Sequence, residues 1–240
     1  MSNTSGRPPA RVAILQHAVF EGPGFIGTWL KSHGFDVKVY ELYAGSELPE
    51  MGALDWLIIM GGPMNIYEDD LFPWLKAERQ FIKKAVQDQK LILGICLGAQ
   101  FLADALGQWV HRGEYREIGW HPVYLTDLAL QSKLFHTFPE EIQPFHWHGD
   151  TFDTPPEATR IGASNACKNQ GFLYQNRVLA LQFHLEVTLE DIDRIITNCG
   201  QDLHEDLFVQ ARPEVLKNAG YITAANKYMA QILERMANSL

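Results

Sequence analysis

The chain has 240 residues, 46% hydrophobic and 20% charged, enough to bury a substantial core and short enough for one domain. With 29 acidic residues against 20 basic and a formal charge of -9, it lacks the clustered lysine and arginine that a phosphate backbone demands, which excludes a nucleic-acid partner. No apolar run reaches membrane-spanning length, so no membrane partner is expected. Three cysteines, Cys96, Cys167 and Cys199, neither pair evenly nor show metal spacing, which points to a reducing cytoplasm.

Residues 1–10 have no apolar core of a secretion signal and read as a disordered leader. A strand is predicted at 11–15. The glycine-rich stretch 22–27 that follows has the wrong spacing for a dinucleotide site and no downstream acidic partner. A helix from Phe25 ends near Gly34, and strands follow at 37–40 and 54–60, the latter running into Gly61-Gly62-Pro63. Between Pro73 and Gln89, Trp74, Leu75, Phe81, Ile82, Ala85 and Val86 recur at helical spacing while Lys76, Arg79, Lys83 and Lys84 face solvent. Such alternation predicts an α/β fold: a mostly parallel central sheet with helices on both faces, and ligands beyond the carboxyl ends of the strands.

The next strand, 91–95, runs through Cys96 into a helix, with Gly94 and Gly98 two residues to either side. This is the pattern of a nucleophile elbow, in which a strained turn lifts the side chain clear of the sheet. The helix N-terminus favours negative charge on the sulfur. A nucleophilic cysteine needs a base, and one appears at the end of a buried strand, 178–183, where His184-Leu185-Glu186 leaves the sheet. Residues two apart in an extended chain share a side, so Glu186 can orient His184, giving a Cys-His-Glu relay. Between the two motifs, short strands at 109–111, 121–125, 160–163 and from 166–167 to 173–174, with a turn at Gln175-Asn176, predict an antiparallel extension of the sheet. Thr188 opens a capped helix, and residues 222–236 have helical spacing; this tail is expected to cover the sheet, the alternative being a homo-oligomeric contact. His146 and His148 flank Trp147, but with no carboxylate or cysteine at ligand spacing no metal site is assigned.

Four segments together carry a resemblance: Gly61-Gly62-Pro63, the stretch from Gly94 to Gln100 around Cys96, His148-Gly149-Asp150, and the stretch from Leu181 to Val187 around His184 and Glu186. In order and spacing they resemble the class I, or triad-type, glutamine amidotransferases, and within these the glutaminase domains of GMP synthases, across most of residues 11–200. The resemblance implies a flavodoxin-like three-layer sandwich at 11–240, with a helical extension from about 188. It also implies that Cys96 attacks the side-chain amide carbon of glutamine to give a thioester and ammonia, with His184 moving protons and Glu186 orienting it. The backbone N–H groups of Gly62 and Leu97 would hold the oxyanion, and Gln100, Gly61, Gly149 and Asp150 would contact the substrate. No cofactor is implied.

Two positions depart from the family. Leu185 stands where a proline is usual, so the turn lacks a fixed backbone angle, and Leu185→Pro is expected to raise turnover slightly. Trp147 stands where a serine precedes the His-Gly-Asp. The chain also shows no phosphate-cradling loop of the kind an ATP-using synthetase requires. Three readings follow: a glutaminase delivering ammonia to a separate synthetase; a stand-alone hydrolase of γ-glutamyl peptides or amines using the same triad; and a regulatory homologue, if Leu185 or Trp147 disables the site.

Overall fold

Alternation of apolar residues along the strands divides the core into two faces of one sheet, as seen in a computed structural model that describes residues 9–240. Residues 1–8 of the expected leader lie outside the described residues. The chain opens with β1 (Arg11–Gln16), α1 (Gly24–Ser32), β2 (Asp36–Glu41), β3 (Trp56–Ile59), α2 (Trp74–Gln87), β4 (Leu91–Ile95) and α3 (Leu97–Ala105). It continues through β5 (Val110–Trp120), β6 (Val123–Leu125), α4 (Asp127–Gln131), β7 (Glu141–Ile142), β8 (Phe145–Phe152), β9 (Thr159–Arg160), β10 (Gly162–Ala163), β11 (Gly171–Tyr174) and β12 (Val178–Leu181). It ends with α5 (Leu189–Cys199), α6 (Arg212–Lys217) and α7 (Tyr221–Ala237).

Seven strands form the main sheet in the order β2-β1-β3-β4-β12-β11-β9. The first five pair in parallel, while β11 and β9 continue the sheet antiparallel. Val12, Ile14, Trp56, Ile58, Leu91 and Leu93 face one way, onto Ile26 and Leu30 of α1, Ile192 of α5 and Met229 and Ile232 of α7. Ala13, Leu15, Leu57, Ile59 and Ile92 face the other way, onto Leu75 and Ile82 of α2 and Phe101 and Leu102 of α3. This is the predicted layered α/β fold, and strict period-two alternation in doubly covered strands is its cause. The expected turn is also present: Gln175 and Asn176 both have positive φ, 50° and 54°, inside a three-residue connection between β11 and β12 that the Arg177 N–H closes onto the Tyr174 carbonyl.

The segment between the motifs departs from expectation. Only β9 and β11 extend the main sheet; β5 and β8 form a separate ribbon, and β10, β6 and β7 a small sheet. The predicted short strand at 109–111 is the start of the eleven-residue β5, and the predicted strand 160–163 is split between the two sheets at Ile161. The tail behaves as expected at its start, where Thr188 and Asp191 form a reciprocal capping box on α5, a device worth about 1 kcal/mol. Its last helix, α7, packs beside α1 over the sheet. Among the described residues no helix is long and apolar enough to cross a membrane.

Candidate active site

Cys96 follows directly from β4 and precedes α3, with φ 51° and ψ -104°. A β-carbon is costly at such a positive φ, and the strain holds the side chain out from the sheet. The turn closes only because its flanks have no side chain. A β-carbon on Gly98 would lie 2.2 Å from the Ile59 carbonyl oxygen, and one on Gly94 would lie 2.6 Å from the Gly98 oxygen. The thiol is 6% exposed at the wall of a cavity, 3.7 Å from the Trp147 carbonyl, and Gln182 Nε2 donates to it at 3.6 Å.

His184 and Glu186 leave the end of β12, next to β4 in the sheet, so adjacent strand ends bring imidazole and thiol together. His184 Nδ1 donates to Glu186 Oε1 at 2.7 Å, with both side chains buried. Burial alone would lower the imidazole pKa, but the Glu186 charge and the contacts with Cys96 and Glu186 hold it well above its ordinary value. The backbone here is tied on several sides. His184 exchanges both backbone hydrogen bonds with Phe145, the Glu186 carbonyl accepts from Phe25, and Asn226 Nδ2 of α7 donates to the carbonyls of Leu185 and Val187.

The Leu185 N–H donates to Glu186 Oε2 at 3.0 Å. A proline would remove this donor, which reverses the expectation that Leu185→Pro improves the turn. The definition that proline gives elsewhere is supplied here by hydrogen bonds, each worth about 1 kcal/mol and more to a charged acceptor. Leu185→Pro is therefore expected to lower steady-state turnover several-fold; an increase would show that this hydrogen bond is dispensable.

Gly62 and Leu97 both line the cavity beside Cys96. Neither N–H donates to another described backbone group, so both are free for an oxygen bound there. Gln100, Gly149 and Asp150 line the same cavity, of about 430 Å³. Burial raises the Asp150 pKa, opposed by Arg112. Trp147 lines the wall too, its Nε1 donating to Asp202 Oδ2 at 3.3 Å. Gly61, expected to contact substrate, lies beside the reacting groups but is not among the residues lining this cavity. It underlies the His184 ring, and its carbonyl is turned away to accept from His17. A β-carbon at Gly61 would lie 3.3 Å from His184 Cε1 and 3.6 Å from Cys96 Cβ, so the missing side chain makes room for imidazole and thiol.

Sequence reading missed several groups. Gln182 is a buried amide in an otherwise apolar strand, a signal the sequence does carry. Glu21 projects from the loop before α1 into the cavity wall, its Oε2 beside Gly61 and near the His184 ring. Burial pushes its carboxyl up to about 7, opposed by His184 and His17. A carboxylate with a raised folded-state pKa disfavours the folded state increasingly as pH climbs from the ordinary carboxylate range through about 7. Glu21→Gln is therefore expected to raise Tm more at pH 8 than at pH 4, and an equal shift at both would contradict the burial of this charge.

A third missed group is Glu117, the register partner of His148 across the ribbon. With His146 and His148 it forms a buried trio whose ligand atoms lie within 4.8 Å of one another, so the carboxylate absent from the local spacing is supplied by β5. The outer ring nitrogens of His146 and His148 donate to the carbonyls of His121 and Asp150, and the inner ones face Glu117 Oε2 at 3.4 and 3.1 Å. That oxygen already accepts from Gln170 Nε2 at 2.6 Å. The trio has the donor set for a divalent cation, but its shared oxygen is engaged by protein hydrogen bonds.

Residues 26–201 match the family model described as glutamine amidotransferase class-I. The glutamine amidotransferase-like protein YfeJ of Salmonella typhimurium is 32% identical over 197 residues, spanning 80% of this chain and 82% of its own. A glutamine-hydrolyzing GMP synthase subunit of Thermoplasma acidophilum is 32% identical over 161 residues, 66% of this chain and 75% of its own. Among solved structures, a glutamine amidotransferase of Thermotoga maritima aligns with a TM-score of 0.86 at 33% identity, covering 96% of this chain and 99% of its own. A glutamine amidotransferase of Methylobacillus flagellatus aligns with a TM-score of 0.90 at 28% identity, covering 97% and 96%.

Proposed function

The chain belongs to the class-I glutamine amidotransferase family, and from that premise we propose that it hydrolyses the side-chain amide of glutamine through Cys96. The observation that carries this reading is the buried His184–Glu186 pair, 2.7 Å apart, at the strand end beside a thiol held on a strained elbow. His184 holds the proton of the Cys96 thiol while Sγ attacks the amide carbon, then gives it to the departing nitrogen, so ammonia leaves and a glutamyl thioester remains. Water, deprotonated by His184, attacks the thioester and releases glutamate. Glu186 keeps Nδ1 protonated, which leaves Nε2 free for the proton transfers. The N–H groups of Gly62 and Leu97 hold the oxyanion of both tetrahedral intermediates; one donor of this kind is worth about a hundredfold in rate. Gln100, Gly149 and Asp150 hold the rest of the substrate. The ammonia passes to a separate acceptor enzyme.

A second reading, hydrolysis of γ-glutamyl peptides or amines by the same relay, is favoured by the reach of the cavity. Beyond the residues around Cys96 it extends to Arg112, Arg116 and His204, which leaves room for a larger leaving group. Glutamate release from the pure chain separates the two. Faster release from glutamine than from γ-glutamyl dipeptides supports the amidotransferase reading, and the reverse order supports the peptidase. No release from either class overturns both.

A further inference from the structure

Besides the Glu117 trio, a second buried ionisable group lies outside the relay. His17, at the end of β1, and Glu78, on α2, are joined Nε2 to Oε1 at 2.8 Å with no side-chain exposure. Replacing a buried ion pair with apolar residues is often neutral or stabilising, so stability alone does not account for it. The ring makes one further hydrogen bond: His17 Nδ1 lies 2.9 Å from the Gly61 carbonyl oxygen. A carbonyl only accepts, so Nδ1 carries the hydrogen at this contact, while Nε2 faces the Glu78 carboxyl. Trp74 stacks on it at 5.7 Å between ring centroids, which fixes its plane.

The consequence lies one peptide further on. In a planar trans peptide the C=O and N–H point in opposite directions, so a Gly61 carbonyl held by His17 turns the Gly62 N–H the other way. Gly62 lines the Cys96 cavity, and its N–H donates to no other described backbone group. Neither residue has a side chain of its own to fix the orientation of this peptide. We propose that His17, braced by Glu78, is a positioning residue that holds the oxyanion hole formed in the chain alone, so that glutamine turnover does not wait for a partner to assemble it. The proposal rests on the hydrolytic reading above and adds to it that the site is competent without its ammonia acceptor.

The test uses the full chain and two double variants that strand no buried charge. His17→Phe/Glu78→Leu removes the donor to Gly61, and His17→Asn/Glu78→Leu restores it, because an asparagine amide reaches where Nδ1 stood. The first is expected to lower kcat about a hundredfold, with KM little changed, and to weaken binding of glutamate γ-semialdehyde, whose adduct with Cys96 needs the hole, to a similar degree. Alkylation of Cys96 by iodoacetamide, which forms no oxyanion, is expected to keep its wild-type rate. The asparagine variant is expected to recover most of the loss. Wild-type kcat and aldehyde affinity in the phenylalanine variant would overturn the proposal, as would an alkylation rate that falls in step with kcat. If that variant does not fold, the wild-type chain still decides: nitrogen NMR is expected to show His17 Nδ1 protonated at neutral pH, and an unprotonated Nδ1 would overturn the proposal. Failure of the hydrolytic reading looks different, since wild-type chain would then form no aldehyde adduct at Cys96, and both would fall.

Discussion

Cys96→Ala is expected to abolish glutamine hydrolysis, lowering kcat on the order of ten-thousandfold or more, while the fold survives. The loss is large because the relay acts as a unit: without the sulfur, His184 has no nucleophile to deprotonate, and the oxyanion donors have no adduct to hold. The fold is expected to persist because alanine keeps the β-carbon that Cys96 already carries at this positive φ, so the backbone strain is unchanged, and only a sulfur at a cavity wall is lost. Circular dichroism and a Tm within a few degrees of wild type would establish the second half. Retained turnover would refute the proposed nucleophile.

Gly98→Ala is expected to act on the fold itself, costing at least about 3 kcal/mol, the upper range for overpacking. The added carbon would lie 2.2 Å from the oxygen, 2.8 Å from the carbon and 2.9 Å from the β-carbon of Ile59. These atoms belong to β3, paired on both sides by β1 and β4, so the neighbour cannot give way. Relief must come from α3 moving off the sheet, which carries the Leu97 N–H and the elbow with it, so turnover should fall along with stability. Gly52→Ala is the matched control. A β-carbon there meets nothing within 4 Å, and a change within about 0.5 kcal/mol is expected. Denaturant midpoints of the two variants measure the contrast; equal midpoints would refute the close-approach account.

The inner parallel strands β3, β4 and β12 were legible because each is an apolar run buried on both faces, and the elbow because glycines flank a lone cysteine between strand and helix. The His184–Glu186 pair was legible for a similar local reason, two residues sharing one side of an extended segment. The β5–β8 ribbon was not. Its interior includes Glu117, His146 and His148, polar residues that face one another across strands, so the alternation that marks a strand is missing. His17 and Glu78 are 61 positions apart, and nothing local in either reveals the other. The reversal at Leu185 has the same origin: loss of a proline can be seen in a sequence, but the N–H it frees finds its acceptor only in the folded turn.

Peptide mapping after inactivation by a chloroketone analogue of glutamine addresses the chemistry at its reacting atom. One label per chain is predicted, on the peptide containing Cys96, accumulating in step with the loss of ammonia release. Fully inactivated protein with Cys96 unmodified, the label instead on Cys167, Cys199 or another side chain, would contradict the proposed mechanism.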